Sequence, residues 1–386
     1  MSVVAAKGFR AAGVAAGIKE NGLDLSVVIA DVGCAAAGVF TTNQVCAAPV
    51  TVSRRHLEQA DTVRGVVTNS GCANAATGAE GMKNAEAMAS IMAEGIGSTG
   101  SEVLVCSTGT IGPQLPMDLV ASGIEHAIAS STDAASGGED AAAGILTTDA
   151  VTKEASVTRD GWTVGGMAKG SGMIRPNMAT MIAVITTDAD VSSQALAEAL
   201  GAAADGSFNS LNIDGCESTN DTCVVLASGA SGVTPSQEDL TSALTEVCQS
   251  LAMQMAKDAE GASRVVTIGI TGGTDDATAR KLGRLVTDSA LVRSSFFGGD
   301  VNWGRIMGAL GTASATIDPD ATTIAYEGVI VFADGMGTAF DEPALLASIE
   351  QGDFHIDIDL GLGDGVASIV TTDLTPEYVV FNGERS

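Results

Sequence analysis

The sequence predicts a layered α/β (α+β) fold in which helices cover stacked mixed sheets. Short β-rich runs and helical repeats are interleaved along the chain, an arrangement typical of layered α/β proteins. No strand-to-helix crossover carries the glycine fingerprint of a nucleotide-binding fold. With 386 residues, the chain is too long for one ordinary core, so we expect two domains or halves.

In the first 130 residues, short apolar runs separated by glycine-rich turns predict strands, with two helices between and after them. The strands cover about 25–30, 63–68 and 102–106, and the helices cover about 84–95 and 117–129. The third strand stops at Ser107-Thr108-Gly109, where a glycine lets backbone N–H groups approach a ligand. We therefore regard this strand end as a candidate binding position.

The central stretch, residues 167–180, is a flexible glycine-rich run that carries one lysine, Lys169. The residue before a proline avoids the helical conformation, so Arg175-Pro176 predicts an extended or turning approach. The apolar run at 181–188 then reads as a buried strand. Thr180 is thus expected where a constrained loop becomes a strand.

Beyond residue 190 the helix signals are clearer. Ser193 is a candidate cap for a helix over 195–204, and Thr234-Pro235-Ser236-Gln237 predicts a capped start for a long helix that ends at Gly261. Further helices are expected over about 276–289 and shortly after Gly299. The remaining patterns predict strands at 265–270, 323–332, 354–360, 367–371 and 377–381.

Charge and hydropathy limit the classes of partner. The chain has 47 acidic and 19 basic residues, a formal net charge of −28, which argues against nucleic acid and anionic membranes. An anionic substrate therefore needs a local cation. No run approaches the roughly 20 apolar residues of a membrane span, and the amino terminus lacks a signal-peptide layout. We expect a cytoplasmic protein.

Histidine, metal and cofactor chemistry find little support. The three histidines, His56, His126 and His355, have no nucleophile-like neighbours in sequence, and His355 alternates with apolar residues as on a solvated strand face. The seven cysteines are scattered without C-x-x-C pairs, so we interpret them as reduced and mostly buried. We expect no metal site and no bound cofactor.

One solution that remains is a threonine that becomes a new amino terminus by self-cleavage. Its α-amine, with a pKa of roughly 7.7–8.0 when unperturbed, can act as the base for its own hydroxyl. The reaction needs a small preceding residue, a constrained loop and backbone donors for the oxyanion. Ala179-Thr180 supplies the first, the glycine- and proline-bearing approach is suited to the second, and Thr108-Gly109 is a candidate for the third.

The sequence resembles the ornithine acetyltransferase family, also called bifunctional glutamate N-acetyltransferase, over essentially its whole length. The resemblance rests on motifs that occur in order along the chain. They are the central stretch itself, Lys7-Gly8-Phe9, Ala16-Gly17-Ile18-Lys19, Val39-Phe40-Thr41-Thr42-Asn43, Ala47-Ala48-Pro49-Val50, Ser107-Thr108-Gly109-Thr110-Ile111-Gly112, Thr147-Thr148-Asp149, Ser218-Thr219-Asn220-Asp221-Thr222, Asp258-Ala259-Glu260-Gly261 and Asn302-Trp303-Gly304-Arg305.

The resemblance implies an N-terminal-nucleophile-like, autoprocessed enzyme of the cyclic arginine pathway. The precursor would cut itself between Ala179 and Thr180 into an α chain, 1–179, and a β chain, 180–386, paired as αβ and assembled as an (αβ)2 heterotetramer. Thr180 would take the acetyl group of N2-acetyl-L-ornithine and pass it to L-glutamate. Thr108 and Gly109 match the oxyanion hole. The positions that match substrate contacts are Thr147, Lys169, Thr180, Glu260, Asn382 and Ser386.

Several alternatives stay open at this point. A self-cleaving amidase or aminopeptidase of similar fold would use water as the acceptor, although those enzymes usually present serine at the cut. A non-catalytic binding protein rich in Ala and Gly is the third hypothesis. Glu260 also fits a solvated helix terminus, Asn302, Trp303 and Arg305 fit a helix start, and acetyl-CoA remains open as an additional acetyl donor.

Overall fold

The computed structural model describes residues 2–175 and 181–384. The chain divides into two compact units. Unit 1 comprises Met1–Asn209 and Cys216–Met255, and unit 2 comprises Ser210–Gly215 and Ala256–Ser386.

The described residues form strands along the whole chain. These are β1 (Phe9–Val14), β2 (Leu25–Phe40), β3 (Val63–Cys72), β4 (Val103–Thr110), β5 (Lys153–Arg159), β6 (Trp162–Lys169), β7 (Ile182–Thr187), β8 (Leu211–Asn212), β9 (Thr222–Ala227), β10 (Val265–Gly273), β11 (Thr323–Tyr326), β12 (Val329–Ala333), β13 (Met336–Gly337), β14 (Phe354–Asp359) and β15 (Gly365–Thr372).

The helices lie between these strands. They are α1 (Ala48–Gln59), α2 (Gly78–Ile96), α3 (Met117–Ser130), α4 (Ala135–Gly144), α5 (Ser193–Asp205), α6 (Gln237–Lys257), α7 (Asp276–Asp288), α8 (Ala290–Phe297), α9 (Trp303–Leu310), α10 (Glu342–Ile349) and α11 (Pro376–Glu384).

Unit 1 is built around a long strand, β2, that takes part in two layers. Its first half pairs with β1 and β3, and its second half, from Ala35 to Phe40, pairs with β9. The strand order is β4-β3-β2-β9-β7-β6-β5, with β1 beside β2. The sheet is mixed, because β3 and β4 are parallel, as are β7 and β9, while β6 and β7 are antiparallel. β7 therefore lies between β6 and β9.

The two parts of this sheet pack face to face, and helices cover their outer sides. Val28 and Leu104 of one layer share a buried cluster with Met167, Val184 and Val224 of the other. On one outer face, α2 and α3 bury their apolar sides against β2, β3 and β4. On the other, α6 packs on β6, where a Cβ at Gly166 would touch Val247 and Leu251. The predicted fold of stacked sheets between helices is confirmed.

Unit 2 has its own mixed sheet, in the order β13-β12-β11-β14-β10-β15-β8. β10 runs parallel to β14 and antiparallel to β15, and its apolar residues Val266, Ile268 and Ile270 face a core that α7, α8 and α9 complete. Asn302 caps α9 by accepting the N–H of Arg305 at 3.0 Å, so the helix-start interpretation of this motif is confirmed.

Several local predictions were wrong. Residues 377–381 form part of helix α11, because Thr375 Oγ1 accepts the N–H of Tyr378 at 3.3 Å and Pro376 suits the first helical position. Helix α5 is capped by Ser192 and not by Ser193, because the hydroxyl of Ser192 accepts the N–H of Ala195. Helix α6 is capped by Ser236, whose hydroxyl accepts the N–H of Asp239. Helix α6 ends at Lys257, and Gly261 follows it with a φ of +65°.

Lys169 was expected in a flexible run but is the last residue of β6, where it pairs with Ile182 of β7. Strand β7 itself, Ile182–Thr187, is buried throughout, as the sequence predicts. All seven cysteines lie within the described residues and form no disulfide, and five of them are buried. Among the described residues, no helix has the length and apolar character needed to cross a membrane.

Candidate active site

The structure brings together three residues that the sequence analysis assigned to the site, Thr108, Thr147 and Lys169. Lys169 is 2% exposed, and its Nζ donates to Thr147 Oγ1 at 2.7 Å and to Thr108 Oγ1 at 3.4 Å. Strand β4 carries Thr108, strand β6 carries Lys169, and the loop after α4 carries Thr147. One buried ammonium group thus links a strand end, a second strand end and a loop.

Asp149 holds this lysine in place and was not recognised from the sequence. Its Oδ2 lies 3.7 Å from Lys169 Nζ and accepts the N–H of Thr147 at 3.1 Å. Its Oδ1 accepts from Lys153 Nζ at 2.8 Å and from the N–H of Gly170 at 2.6 Å. Asp149 therefore fixes the residues on both sides of the cluster.

The charges in this cluster explain the ionisation of Asp149. Burial alone would raise the pKa of its carboxyl group, but the positive charges of Lys169 and Lys153, together with the hydrogen bonds from Lys153 and Gly170, outweigh burial. The pKa of Asp149 is consequently held well below its ordinary value. Asp149 is a carboxylate at neutral pH.

We refer to Asp149, Lys153 and Lys169 as the Lys–Asp cluster. Two lysines and one carboxylate meet here in a region where the side chains are at most 3% exposed. Charged groups interact strongly in such a place because little water screens them. The cluster is thus a concentration of buried basic groups in a chain of net charge −28.

Lys19 adds a further positive charge at this place. Its Nζ donates to the carbonyl oxygen of Leu146 at 2.9 Å, directly before Thr147. Burial lowers its pKa, the carboxylates of Asp24 and Asp149 oppose that effect, and Lys169 adds to it. Lys19 belongs to the Ala16-Gly17-Ile18-Lys19 motif, so the family resemblance pointed to this part of the chain. Nothing in the sequence, however, placed Lys19 beside Thr147.

Gly109 has a backbone conformation that other residues avoid. Its φ is +132°, and a Cβ at this position would lie 2.3 Å from the carbonyl carbon of Gly71 on the neighbouring strand β3. Glycine is therefore required here by both conformation and space. This close approach places an exposed backbone segment directly after Thr108, as the predicted oxyanion role requires.

Glu260 and Asn382 lie together in unit 2. The Nδ2 of Asn382 donates to Glu260 Oε2 at 3.1 Å and to the carbonyl oxygen of Tyr378 at 3.1 Å. Helix α11 provides this contact, because its start packs on the loop after α6, where Gly261 approaches Tyr378. A strand at 377–381 would not have placed Asn382 one helical turn after Tyr378.

Ala179, Thr180 and Ser386 lie outside the described residues. Met181, which directly follows Thr180 in the sequence, is 2% exposed, and its N–H donates to Asp221 Oδ1 at 3.0 Å. Burial raises the pKa of the Asp221 carboxyl group well above its ordinary value, against the hydrogen bond from Met181 and weaker effects of Ser218, Lys169 and Thr41. Asp221 is thus a second buried carboxyl group that the sequence analysis missed.

Metal chemistry was not expected from the sequence. Within residues 2–175 and 181–384, no group of three or more His, Cys, Asp and Glu side chains is arranged to hold a metal ion. His355 lies on the exposed face of β14 with its Nε2 2.7 Å from Asp357 Oδ1, in agreement with a solvated strand face.

Curated relatives define the class of protein. A protein of Streptomyces coelicolor named arginine biosynthesis bifunctional protein ArgJ is 45% identical over 388 residues, which cover 100% of both chains. A protein of the same name from Mycobacterium tuberculosis is 44% identical over 392 residues, covering 100% of this chain and 96% of that protein. The chain is thus an acetyltransferase of the arginine biosynthesis class.

A family model described as the ArgJ family matches residues 10–386. The chain belongs to this family. Among solved structures, an ornithine acetyltransferase from Mycobacterium tuberculosis in complex with ornithine is 46% identical and covers 46% of this chain and 95% of that chain, with a TM-score of 0.45. An ArgJ protein from Bacillus halodurans is 39% identical with the same coverage and a TM-score of 0.44.

The family membership decides between the hypotheses drawn from the sequence. It confirms the resemblance to ornithine acetyltransferases and the assignment as an enzyme. The amidase and the non-catalytic binding protein find no support among the curated relatives described above. The individual site residues remain predictions, and the geometry of the Lys–Asp cluster is the structural basis on which they can be developed.

Proposed function

We propose that the protein transfers the acetyl group of N2-acetyl-L-ornithine to L-glutamate through an acetyl-Thr180 intermediate. In the first half-reaction, Thr180 Oγ attacks the acetyl carbonyl carbon, the carbon–nitrogen bond to ornithine breaks, and ornithine leaves as an amine. In the second, the amine of glutamate attacks the ester and releases Thr180. The covalent intermediate divides one difficult transfer into two easier ones.

The observation that carries this proposal is the convergence of Thr108, Thr147 and Lys169. These residues are widely separated in sequence, yet a single buried Nζ contacts both hydroxyls at 2.7 and 3.4 Å. The family resemblance assigned each of them to the site independently of any structure. A constellation with only a packing role does not require a buried ammonium group between two threonines.

The proposal gives these groups distinct roles. Thr108 and the backbone at Gly109 stabilise the oxyanion that forms when the acetyl carbonyl is attacked. Lys169 of the Lys–Asp cluster binds the carboxylate that acetylornithine and glutamate have in common. The family resemblance assigns Glu260 to the ammonium groups of ornithine and Asn382 to a further substrate contact. Ser386 completes the substrate contacts from the carboxyl terminus.

Thr180 gains its reactivity through self-cleavage between Ala179 and Thr180. Cleavage converts the amide nitrogen of Thr180 into an α-amine, which accepts the proton of the Thr180 hydroxyl. The products are the α chain, 1–179, and the β chain, 180–386. We propose that these chains stay paired, that two pairs form an (αβ)2 heterotetramer, and that the enzyme works in the cytoplasm without a bound cofactor.

Intact mass after denaturation tests the cleavage. We expect two masses that correspond to residues 1–179 and 180–386 for the natural sequence and for Thr180→Ser, which retains a hydroxyl. Thr180→Ala should give one uncut chain. A single mass for the natural sequence, or persistent cleavage in Thr180→Ala, would remove Thr180 from its proposed role.

Isotope exchange tests the covalent intermediate. Labelled ornithine should exchange into N-acetylornithine in the absence of glutamate, because the first half-reaction is reversible in a ping-pong mechanism. Exchange that requires glutamate would contradict it. A second assay with acetyl-CoA as the sole donor decides whether the enzyme also makes acetylglutamate from that source, and release of free acetate measures hydrolysis.

A further inference from the structure

The segment 218–222 contains two buried polar residues for which neither the reaction nor the family resemblance supplies a role. Asn220 is 5% exposed and Asp221 is 0% exposed. The two side chains reach different strands of unit 1. Their contacts lie immediately next to the predicted catalytic positions, and not at them.

Asn220 contacts the strand that carries Thr108. Its Nδ2 donates to the carbonyl oxygen of Ser107 at 2.8 Å and to that of Ala73 at 2.6 Å. The hydroxyl of Thr219 donates to Asn220 Oδ1 at 2.6 Å, which orients the amide so that its nitrogen faces both carbonyls. Asn220 therefore fixes the residue just before Thr108.

Asp221 contacts the strand that follows Thr180. Its Oδ1 accepts the N–H of Met181 at 3.0 Å, and the N–H of the next residue, Thr222, donates to the carbonyl oxygen of Met181 at 3.0 Å. Both polar backbone groups of Met181 are thus held by residues 221 and 222. Because Met181 is bonded to Thr180, this fixes where the chain leaves the predicted cleavage position.

The buried carboxyl group of Asp221 is poorly explained as a device for stability. The other carboxyl oxygen, Asp221 Oδ2, is buried and makes no hydrogen bond of normal geometry within the part of the chain that the structure describes, although the hydroxyls of Ser218 and Thr41 lie near enough to lower the pKa of this carboxyl group. A buried polar atom without a partner destabilises the folded state. An apolar side chain would bury no such oxygen but would leave the N–H of Met181 without its acceptor, so the carboxyl group is better explained by what it holds than by its contribution to stability.

We propose that Asn220 and Asp221 are positioning residues that set the distance between the start of β7, which follows Thr180, and the end of β4, which carries Thr108 and Gly109. They are adjacent in sequence, so a single peptide unit joins the two side chains that hold Met181 and Ser107. Their side chains act through Met181 and Ser107 and need no contact with substrate. The inference rests on the proposed nucleophile role of Thr180.

The rate of self-cleavage tests this proposal. Asp221→Leu has nearly the same size but no acceptor for Met181, and Asn220→Leu has no donor for Ser107. Because small displacements of reacting groups cost large factors in rate, we expect cleavage to slow by about 10- to 100-fold in each. Asp221→Asn retains an acceptor oxygen and should cleave close to the natural rate.

A buried asparagine of unit 2 supplies the matched control. Asn212 is 0% exposed, and its Nδ2 donates to Thr287 Oγ1 at 2.9 Å and to Asp288 Oδ1 at 3.0 Å. Asn212→Leu should lower thermal stability without slowing cleavage. If Asp221→Leu does not fold, Asp221→Ala takes its place. In the cleaved fraction, the leucine variants should lower kcat for acetyl transfer and leave KM unchanged.

Two results would overturn the inference. One is cleavage of both Asp221→Leu and Asn220→Leu at the natural rate. The other is that these two variants cleave no more slowly than Asn212→Leu does when all three have lost the same amount of stability. Failure of the proposed function looks different, because the natural sequence itself would then remain uncut or be cut at another bond.

Discussion

Replacing Asp149 with asparagine removes the carboxylate that two buried ammonium groups share. The side chains of Asp149 and Lys153 are 0% exposed, and that of Lys169 is 3% exposed, so water does not compensate for the lost charge. The variant therefore tests whether the Lys–Asp cluster is held together by charge.

The expected magnitude follows from the distances. At an effective dielectric constant of about 20, unit charges attract by roughly 6 kcal/mol at 2.8 Å and roughly 4.5 kcal/mol at 3.7 Å, the two Lys–Asp separations. Much of this offsets the desolvation of the three groups. The loss in the free energy of unfolding should be about 3–5 kcal/mol, a large part of the roughly 5–15 kcal/mol typical of a folded domain.

Urea unfolding followed by tryptophan fluorescence measures this loss. The chain has two tryptophans, Trp162 in β6 of unit 1 and Trp303 in α9 of unit 2. In a Trp303→Phe background, the fluorescence of Trp162 reports on unit 1 alone. Changing Lys153 to methionine in the Asp149→Asn variant should restore part of the stability, because the buried positive charge that Asp149 offset is then removed.

An exposed ion pair in the same unit supplies the control. Arg55 and Glu86 lie 2.9 Å apart, with side chains 38% and 48% exposed. Glu86→Gln should cost less than about 1 kcal/mol, since solvent screens such pairs. If Asp149→Asn cost no more than Glu86→Gln, the reasoning about the buried cluster would be refuted.

Three other predictions concern the same region. Gly109→Ala should abolish acetyl transfer and lower the yield of folded protein. The control is Gly112→Ala: Gly112 has a φ of +108°, but a Cβ there would have nothing within 4 Å, so the change should cost only about 1–3 kcal/mol of strain. Equal effects of the two changes would contradict the close approach of Gly109 to Gly71. Lys169→Met should lower kcat/KM for N-acetylornithine by about 10- to 100-fold but leave that for N-acetylputrescine, which lacks the carboxylate, little changed. The pKa of Asp149 is lowered and that of Asp221 is raised, so unfolding at several pH values should give opposite trends. The stability advantage of the natural protein over Asp149→Asn should shrink below about pH 4, and Asp221→Asn should gain stability relative to the natural protein above that pH.

The sequence predicted the layered fold because its strongest signals survive tertiary packing. Strand β7 and helix α3 lie where continuous apolar runs and helical spacing placed them. The strand prediction for residues 377–381 was wrong because Val and Phe favour strands only where they pack on a pleated, half-buried surface. Val379 and Val380 are 66% and 58% exposed, and the Thr375-Pro376 start was the better signal.

The sequence could propose residues for the candidate site but could not predict their arrangement. The family motifs pointed to Thr108, Thr147 and Lys169, whereas charge pairing across β5, β6 and a loop brought in Asp149 and Lys153. Their four-residue spacing suggests a pair on a helix, and no helix is present at this position. Asp221 was likewise hidden, because a buried carboxyl group becomes visible only when its long-range partner, Met181, is known.

The position of β7 in the sheet has a consequence for assembly. The proposed cleavage after Ala179 would assign β6 and β2 to the α chain and β7 and β9 to the β chain, whereas the order in the sheet is β2-β9-β7-β6. The two products would therefore be interleaved, with two strands of one chain inserted between strands of the other. Such chains would not part without unfolding the sheet.

The cleaved protein would then not refold as readily as the precursor folds. The uncut precursor folds as a single molecule, whereas separated α and β chains would have to meet in solution and insert strands into one another. Refolding of the cut protein should depend on concentration and compete with aggregation at exposed strand edges. The lifetime of the cleaved protein would then be set by how rarely its sheet opens, rather than by an equilibrium between folded and unfolded chains.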